Sequence, residues 1–153
     1  MGTINVSATV DSSAPIEAVW ATLVDTRSWP IWAPQDEAWL DADGTDDPEG
    51  VGAIRRFRTG RYMVREEVVV FAPPHDFGYR LLSGLPLRDY VARVRLDEHD
   101  GGTRVSWQAT FRPAYPGTGP VARRRMRKLL ETIAGALARH AAAGSTDASG
   151  PSQ

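Results

Sequence analysis

The order of local patterns predicts an α+β domain in which an antiparallel sheet of about seven strands is covered by one long C-terminal helix. Three observations carry this. Residues 51–113 break into five successive strands at turn chemistry: Gly60, Pro73-Pro74, Gly84 with Pro86, and Asp100-Gly101-Gly102. Beyond the next loop, PAYPGTGP, the apolar positions Met126, Leu129, Leu130, Ile133 and Leu137 recur at spacings of three and four. A meander of strands needs one face covered, and that helix is the only long amphipathic element available to cover it.

The elements follow in order. Val6, Ala8 and Val10 alternate with Ser7 and Thr9 in a short half-buried strand. Ser13 then precedes Ala14, Pro15, Ile16 and Glu17, the composition of a capped helix start, and Ile16, Val19, Trp20 and Leu23 mark one helical face. In RSWPIWAPQ, Pro30 and Pro34 stand among Trp29 and Trp32, which suits a broken helix packed by its aromatics or an aromatic cap on an entrance. The stretch AWLDADGTDDPEG gives a strand ending in an acidic turn. Pro120 can open the final helix, which is expected to run to about Ala143 and stop at Gly144. Residues 1–143 thus form a single domain, and the polar 144–153 segment GSTDASGPSQ has nothing to bury and is expected to be disordered.

Two hairpins can be aligned on their turns. A two-residue Asp100-Gly101 turn makes partner numbers sum to 201, pairing Leu96 with Val105, Val94 with Trp107, Ala92 with Ala109 and Tyr90 with Phe111 on an apolar face. The other face pairs Asp97 with Arg104 and Asp89 with Arg112. In RRFRTGRYMVREE, residues 55–67, seven of thirteen side chains are charged. With Gly60-Arg61 as the turn the sum is 121, so Phe57 meets Val64 and Arg55 meets Glu66, and the same face continues to Val68 and Val70. An Arg and a Glu turned inward gain little over apolar packing, so they point to a polar-walled space and not a dry core.

Composition excludes several classes. With 18 Lys and Arg against 19 Asp and Glu the net charge is -1, which removes the simplest argument for a nucleic-acid partner or an anionic membrane surface. The absence of cysteine removes disulfides, thiolate catalysis and Cys-ligated metals. No apolar run is long enough for stable membrane insertion and no signal peptide is evident, so a cytoplasmic location is expected. His75 and His99 fall in turns and His140 near a helix end, so neither a metal site nor a histidine triad has a constellation to stand on. The run Arg123 to Lys128 puts five cations in the first turns of a helix, against the macrodipole; it is either a solvated face or a site for an anionic ligand, partner or membrane.

Several stretches in this order resemble one family: APIEAVWATLVD with SWPIWAP; VGAIRRF; EEVVVFAPPHDFGYRLLSG; LRDYVARVRL; and GGTRVSWQATFRP before the last helix. The chain resembles the polyketide cyclase/dehydrase branch of the START and Bet v 1-like (SRPBCC) superfamily over roughly residues 4–143. The resemblance implies a helix-grip fold, a curved sheet wrapped around the C-terminal helix with a hydrophobic ligand cavity between them. It implies an inward glutamate at Glu66, and wall positions at Tyr79, Leu81, Tyr90, Ala92, Trp107, Ala109, Leu130, Ile133 and Leu137. The inward-facing Phe57, Val68 and Val94 extend that expected wall.

The loops TGRY and SGLP lie where relatives carry mobile segments over the cavity mouth, with Gly60 and Gly84 permitting the motion. Arg55 and Glu66, with Tyr90, are the candidate catalytic residues. They would orient a ligand oxygen or act as an acid/base pair, or else form a structural pair at the cavity edge. Two functions follow from one cavity. One is binding of a small hydrophobic molecule of polyketide, lipid or isoprenoid type; the other is an aromatase/cyclase-like or dehydratase-like activity, which needs no cofactor. A regulatory interaction module using the mouth loops and the basic helix start is a third class.

Overall fold

The computed structural model describes residues 2–148. In chain order the elements are β1 (Ile4–Ser12), α1 (Ile16–Val24), a 3-10 turn (Thr26–Ser28), α2 (Trp29–Trp32), β2 (Glu37–Ala42), β3 (Ile54–Thr59), β4 (Tyr62–Ala72), β5 (Asp76–Ser83), β6 (Leu87–His99), β7 (Gly102–Pro113) and α3 (Gly119–Ala148). The seven strands form one antiparallel sheet in the order β1-β7-β6-β5-β4-β3-β2. Each hairpin pairs with the next, and β1 closes beside the last strand. The α3 helix packs on β1, β7 and α1, which is the helix-grip arrangement.

Inward and outward faces separate as strand periodicity requires. On β1, Ile4, Val6 and Ala8 are buried; on α1 the buried set is Ile16, Val19, Trp20 and Leu23; on α3 it includes Met126, Leu130, Ile133 and Leu137. Two hydroxyls pin the ends together. Ser12 Oγ donates to the Ala138 carbonyl of α3 at 2.8 Å, and Thr103 Oγ donates to the Ala14 carbonyl at 2.8 Å. The α1 start makes no side-chain cap; Pro15 stands in the position expected for Ser13, and Ser12 Oγ instead accepts from the Ala14 N–H.

The β3–β4 hairpin keeps the register derived from its turn, with Arg55 opposite Glu66 and Phe57 opposite Val64. Two bulges correct the rest. In β6 the ladder shifts between Arg88 and Val91, so Asp89, at φ +52°, and Tyr90 leave the expected pairs with Arg112 and Phe111. Asp89 still reaches Arg112 across the bulge at 2.6 Å. In β4 a shift between Val68 and Val70 reverses the parity, sending Val70 outward and bringing Phe71 inward, opposite Phe77 and 5.3 Å from the ring of Trp20. The Asp100-Gly101 turn has φ of +50° and +80°, the pair of positive values that a primed hairpin turn demands.

The C-terminal helix passes through Gly144 and continues to Ala148, so the stop expected at Gly144 is not made. A helical glycine costs only about 1 kcal/mol relative to alanine. The rest of the expected disordered tail, 149–153, lies outside the described residues.

Candidate functional site

Because α3 closes on β1, β7 and α1, its N-terminal half stands away from β3 to β6 and leaves a cavity of about 300 Å³. Six expected residues meet there: Phe57, Glu66, Tyr79, Tyr90, Leu130 and Ile133. The wall also takes Trp29, Pro34 and Gln35 from the α2 segment, Thr59, Tyr62 and Val64 from the β3–β4 hairpin, Leu85 from the next loop, and Met126 and Leu129 from α3. The hairpin register contained part of this. Thr59 and Tyr62 share the inward parity of Phe57 and Val64, so the face reaches the turn itself.

The remaining expected wall residues lie elsewhere. Val68, Ala92, Val94, Trp107, Ala109 and Leu137 are buried on the inward side but behind the cavity, where α1, Trp29 and the second half of α3 fill the space. Leu81, opposite Glu66 in the ladder, is half-buried against the edge of the core. The correction has one cause: strand parity assigns a face, whereas the depth of free space along it is set by where α3 touches. Trp107 shows this best, being fully buried, 6.1 Å from the ring of Trp29 and donating its Nε1–H to Tyr79 Oη at 3.1 Å. A larger open groove of about 400 Å³ lies by the Asp100-Gly101 turn; it is lined by turn residues and acidic side chains and shares nothing with this cavity.

Arg55 is the unusual residue. It is fully buried, its Nη2 donates to Glu66 Oε1 at 2.9 Å, and its Nε and Nη1 have no hydrogen-bond partner. Four rings surround the guanidinium instead, with centroids at 4.7 Å (Trp29), 4.9 Å (Phe57), 5.1 Å (Phe77) and 5.2 Å (Tyr79). Ring faces carry negative potential and hold a desolvated cation. The outward charges of the same strand are ordinary surface pairs, Arg56 with Asp41 and Arg58 with Glu37.

Burial pushes the Glu66 carboxyl above its ordinary pKa, against the opposing pull of Arg55. Tyr79 and Tyr90 are likewise raised, burial first, so both phenols keep their protons. A further acid escaped the sequence reading. Glu49, in the acidic turn, accepts from the Thr26 N–H at 3.2 Å and from Thr26 Oγ at 2.6 Å; burial raises its carboxyl against the pull of these two bonds and, less strongly, of Arg55. Its signal was a carboxylate in a turn leading to Arg55, indistinguishable from its solvated neighbours.

A raised carboxyl means that the folded chain holds a proton which the unfolded chain releases. Stability from Glu66 is therefore present at acid pH and lost as pH rises from the ordinary glutamate value through the raised one. Across about pH 4 to 8, the melting temperature of the wild type minus that of Glu66→Gln is expected to fall; a flat difference would refute the shift.

None of the histidines reaches the cavity: His75 Nδ1 meets the Leu96 carbonyl, His99 meets Asp100 and Arg104, and His140 stacks on Trp32. Among the described residues no group of three or more Asp, Glu or His is placed to hold a metal, and no helix is long and apolar enough to cross a membrane. Arg123, Arg124, Arg125, Arg127 and Lys128 are exposed and, among the described residues, form no ion pair. Arg125 borders a shallow groove with Leu85, Pro86 and Leu87 that adjoins the cavity through Leu85, Met126 and Leu129.

The mouth loops differ from each other. Gly60, at φ +60°, stands in open space, whereas Gly84, at φ +111°, is pressed on β4 so that a Cβ would clash with the Met63 carbonyl and lie 2.8 Å from Val64 Cα. Gly84 is thus a close-contact glycine and not a free hinge. Gly84→Ala is expected to lower the free energy of unfolding by roughly 1–3 kcal/mol, more than Gly60→Ala does; equal effects in urea titrations would refute that contact.

The family model described as polyketide cyclase/dehydrase and lipid transport matches residues 3–142. No curated protein sequence matches the chain. Among solved structures, a START superfamily protein from Mycobacterium smegmatis is 20% identical with a TM-score of 0.78, over 92% of this chain and 97% of its own. The protein XoxI from Bacillus cereus is 18% identical, TM-score 0.74, over 89% and 94%. Ara h 8.0201 is 16% identical, TM-score 0.73, over 93% and 99%. At such identities the likeness concerns the fold.

Proposed function

Since the chain belongs to the polyketide cyclase/dehydrase and lipid transport family, we propose that it binds a small hydrophobic molecule, of polyketide, lipid or isoprenoid type, in the cavity beneath the first half of α3. The observation that carries this reading is a mainly apolar, partly open cavity of about 300 Å³ with one charged side chain, Glu66, on its wall. Small-molecule sites combine apolar walls for affinity with few polar groups for orientation.

A second reading, a cofactor-independent cyclase or dehydratase in the same cavity, is favoured by a carboxyl lifted by burial beside two neutral tyrosines, a setting suited to general acid catalysis. Glu66→Gln would then abolish turnover of a bound precursor while leaving its affinity within a few-fold.

Native mass spectrometry with a mixed panel of aromatic polyketides, fatty acids and isoprenoids tests the binding reading. A retained adduct is expected, and it should disappear when Ile133→Trp fills the space between α3 and Glu66. Absence of any adduct, or an adduct unchanged by the filled cavity, would overturn the reading.

A further inference from the structure

The polar atoms of the cavity wall set which hydrophobic molecules it accepts. Glu66 Oε1 is taken by Arg55, but Oε2 receives no hydrogen bond from any described residue, and the Glu66 side chain is 12% exposed where that of Arg55 is 0%. The pair therefore turns its acid to the cavity and hides its base behind four rings. Gln35 adds a second acceptor, since its Oε1 is buried without a partner on the same wall. Each phenol makes a side-chain hydrogen bond. Tyr79 Oη accepts from Trp107, and Tyr90 O–H donates to Met126 Sδ, a weak acceptor, at 3.6 Å.

A ligand placed here meets unused acceptors, while the unpaired Nε and Nη1 of Arg55 lie buried outside the cavity lining. A ligand carboxylate would be desolvated beside the Glu66 carboxyl, and Arg55, fully buried behind its rings, is not within the lining to neutralise it. An ammonium would bring a second cation close to the Arg55 guanidinium, which is already desolvated. A hydroxyl satisfies Oε2 at no cost in charge. The volume, at the small end for ligand cavities, and the rings of Trp29, Phe57, Tyr79 and Tyr90 suit a compact planar molecule.

We propose that the cavity selects neutral, hydroxyl-bearing aromatic compounds of few rings, the hydroxyl donating to Glu66 Oε2, and discriminates against carboxylates of the same frame. This rests on the hydrophobic-ligand reading and narrows it.

Titration calorimetry of the full chain at neutral pH with 2-naphthol, 2-methoxynaphthalene and 2-naphthoate tests it. The naphthol is expected to bind about tenfold or more tighter than the ether, which cannot donate, and the naphthoate to be weaker than both. In Arg55→Met/Glu66→Leu the ratio of naphthol to ether affinity should fall toward one; should that variant not fold, the wild-type series alone decides. An ether or naphthoate binding as tightly as the naphthol would overturn the selection while leaving the cavity a hydrophobic site. If none of the three binds although fatty acids or isoprenoids of the wider panel do, the selection is again overturned. If nothing in the panel binds, the underlying reading fails with it.

Discussion

Arg55→Met is expected to lower the free energy of unfolding by about 3–5 kcal/mol, the largest effect available at a single polar residue of this chain. Methionine fills a similar length of the buried slot, so the loss is not mainly one of volume. It comes from Glu66, whose carboxyl would remain beneath α3 with its one charge partner removed. Removing both charges together, in Arg55→Met/Glu66→Leu, is expected to restore most of that stability or exceed the wild type, because a buried ion pair seldom outperforms apolar packing. Urea unfolding of the wild type, the two single variants and the double variant measures the coupling directly. Additive single effects would show that Arg55 is held by its four rings alone and that Glu66 is incidental. A large coupling energy together with a double variant more stable than the wild type means that the fold retains the pair at a cost in stability, which is the expectation for residues kept for what they do in the cavity.

That pair was legible from one turn, and the reason is geometric. Once Gly60-Arg61 is fixed, side-chain alternation puts Arg55 and Glu66 on the face of Phe57 and Val64 without freedom to do otherwise. The same rule failed past Val68 and before Val91, where a bulge adds one residue to one strand and reverses or delays the parity; neither VVVFA nor LRDYV carries a glycine or proline to announce it. The long helix was visible by its spacing, yet where it rests is a matter of which small residues allow close approach. Ala134, Ala138 and Ala141, with Ser12 reaching the Ala138 carbonyl, draw its second half onto the sheet. Hence Trp107 and Leu137 became core while Met126 and Leu129 became wall. Proximity in three dimensions also decided Glu49, which sequence shows as one acid among several.

Trp29 is where fold and cavity meet, and Trp29→Ala is expected to cost about 3–5 kcal/mol. The ring is 2% exposed, packs 4.8 Å from Trp32 and 5.0 Å from Phe57, stands nearest of the four rings to the Arg55 guanidinium, and donates its Nε1–H to the Leu23 carbonyl at 3.0 Å. Its deletion therefore opens a void, strips a buried cation of one ring and leaves the Leu23 carbonyl at the end of α1 without that donor. Trp29→Phe separates these effects. It keeps an aromatic face toward Arg55 but loses the hydrogen bond, and should cost only about 1 kcal/mol beyond the smaller change in volume. Because Trp29 also forms part of the cavity wall, the alanine variant should admit larger ligands than the wild type, seen as heavier adducts in native mass spectra. If Trp29→Ala were destabilised as expected yet retained the same adducts, the neighbouring Trp32 and Phe57 would have to close over the void, and the size of the ligand would be set by α3 and the β3–β4 hairpin instead.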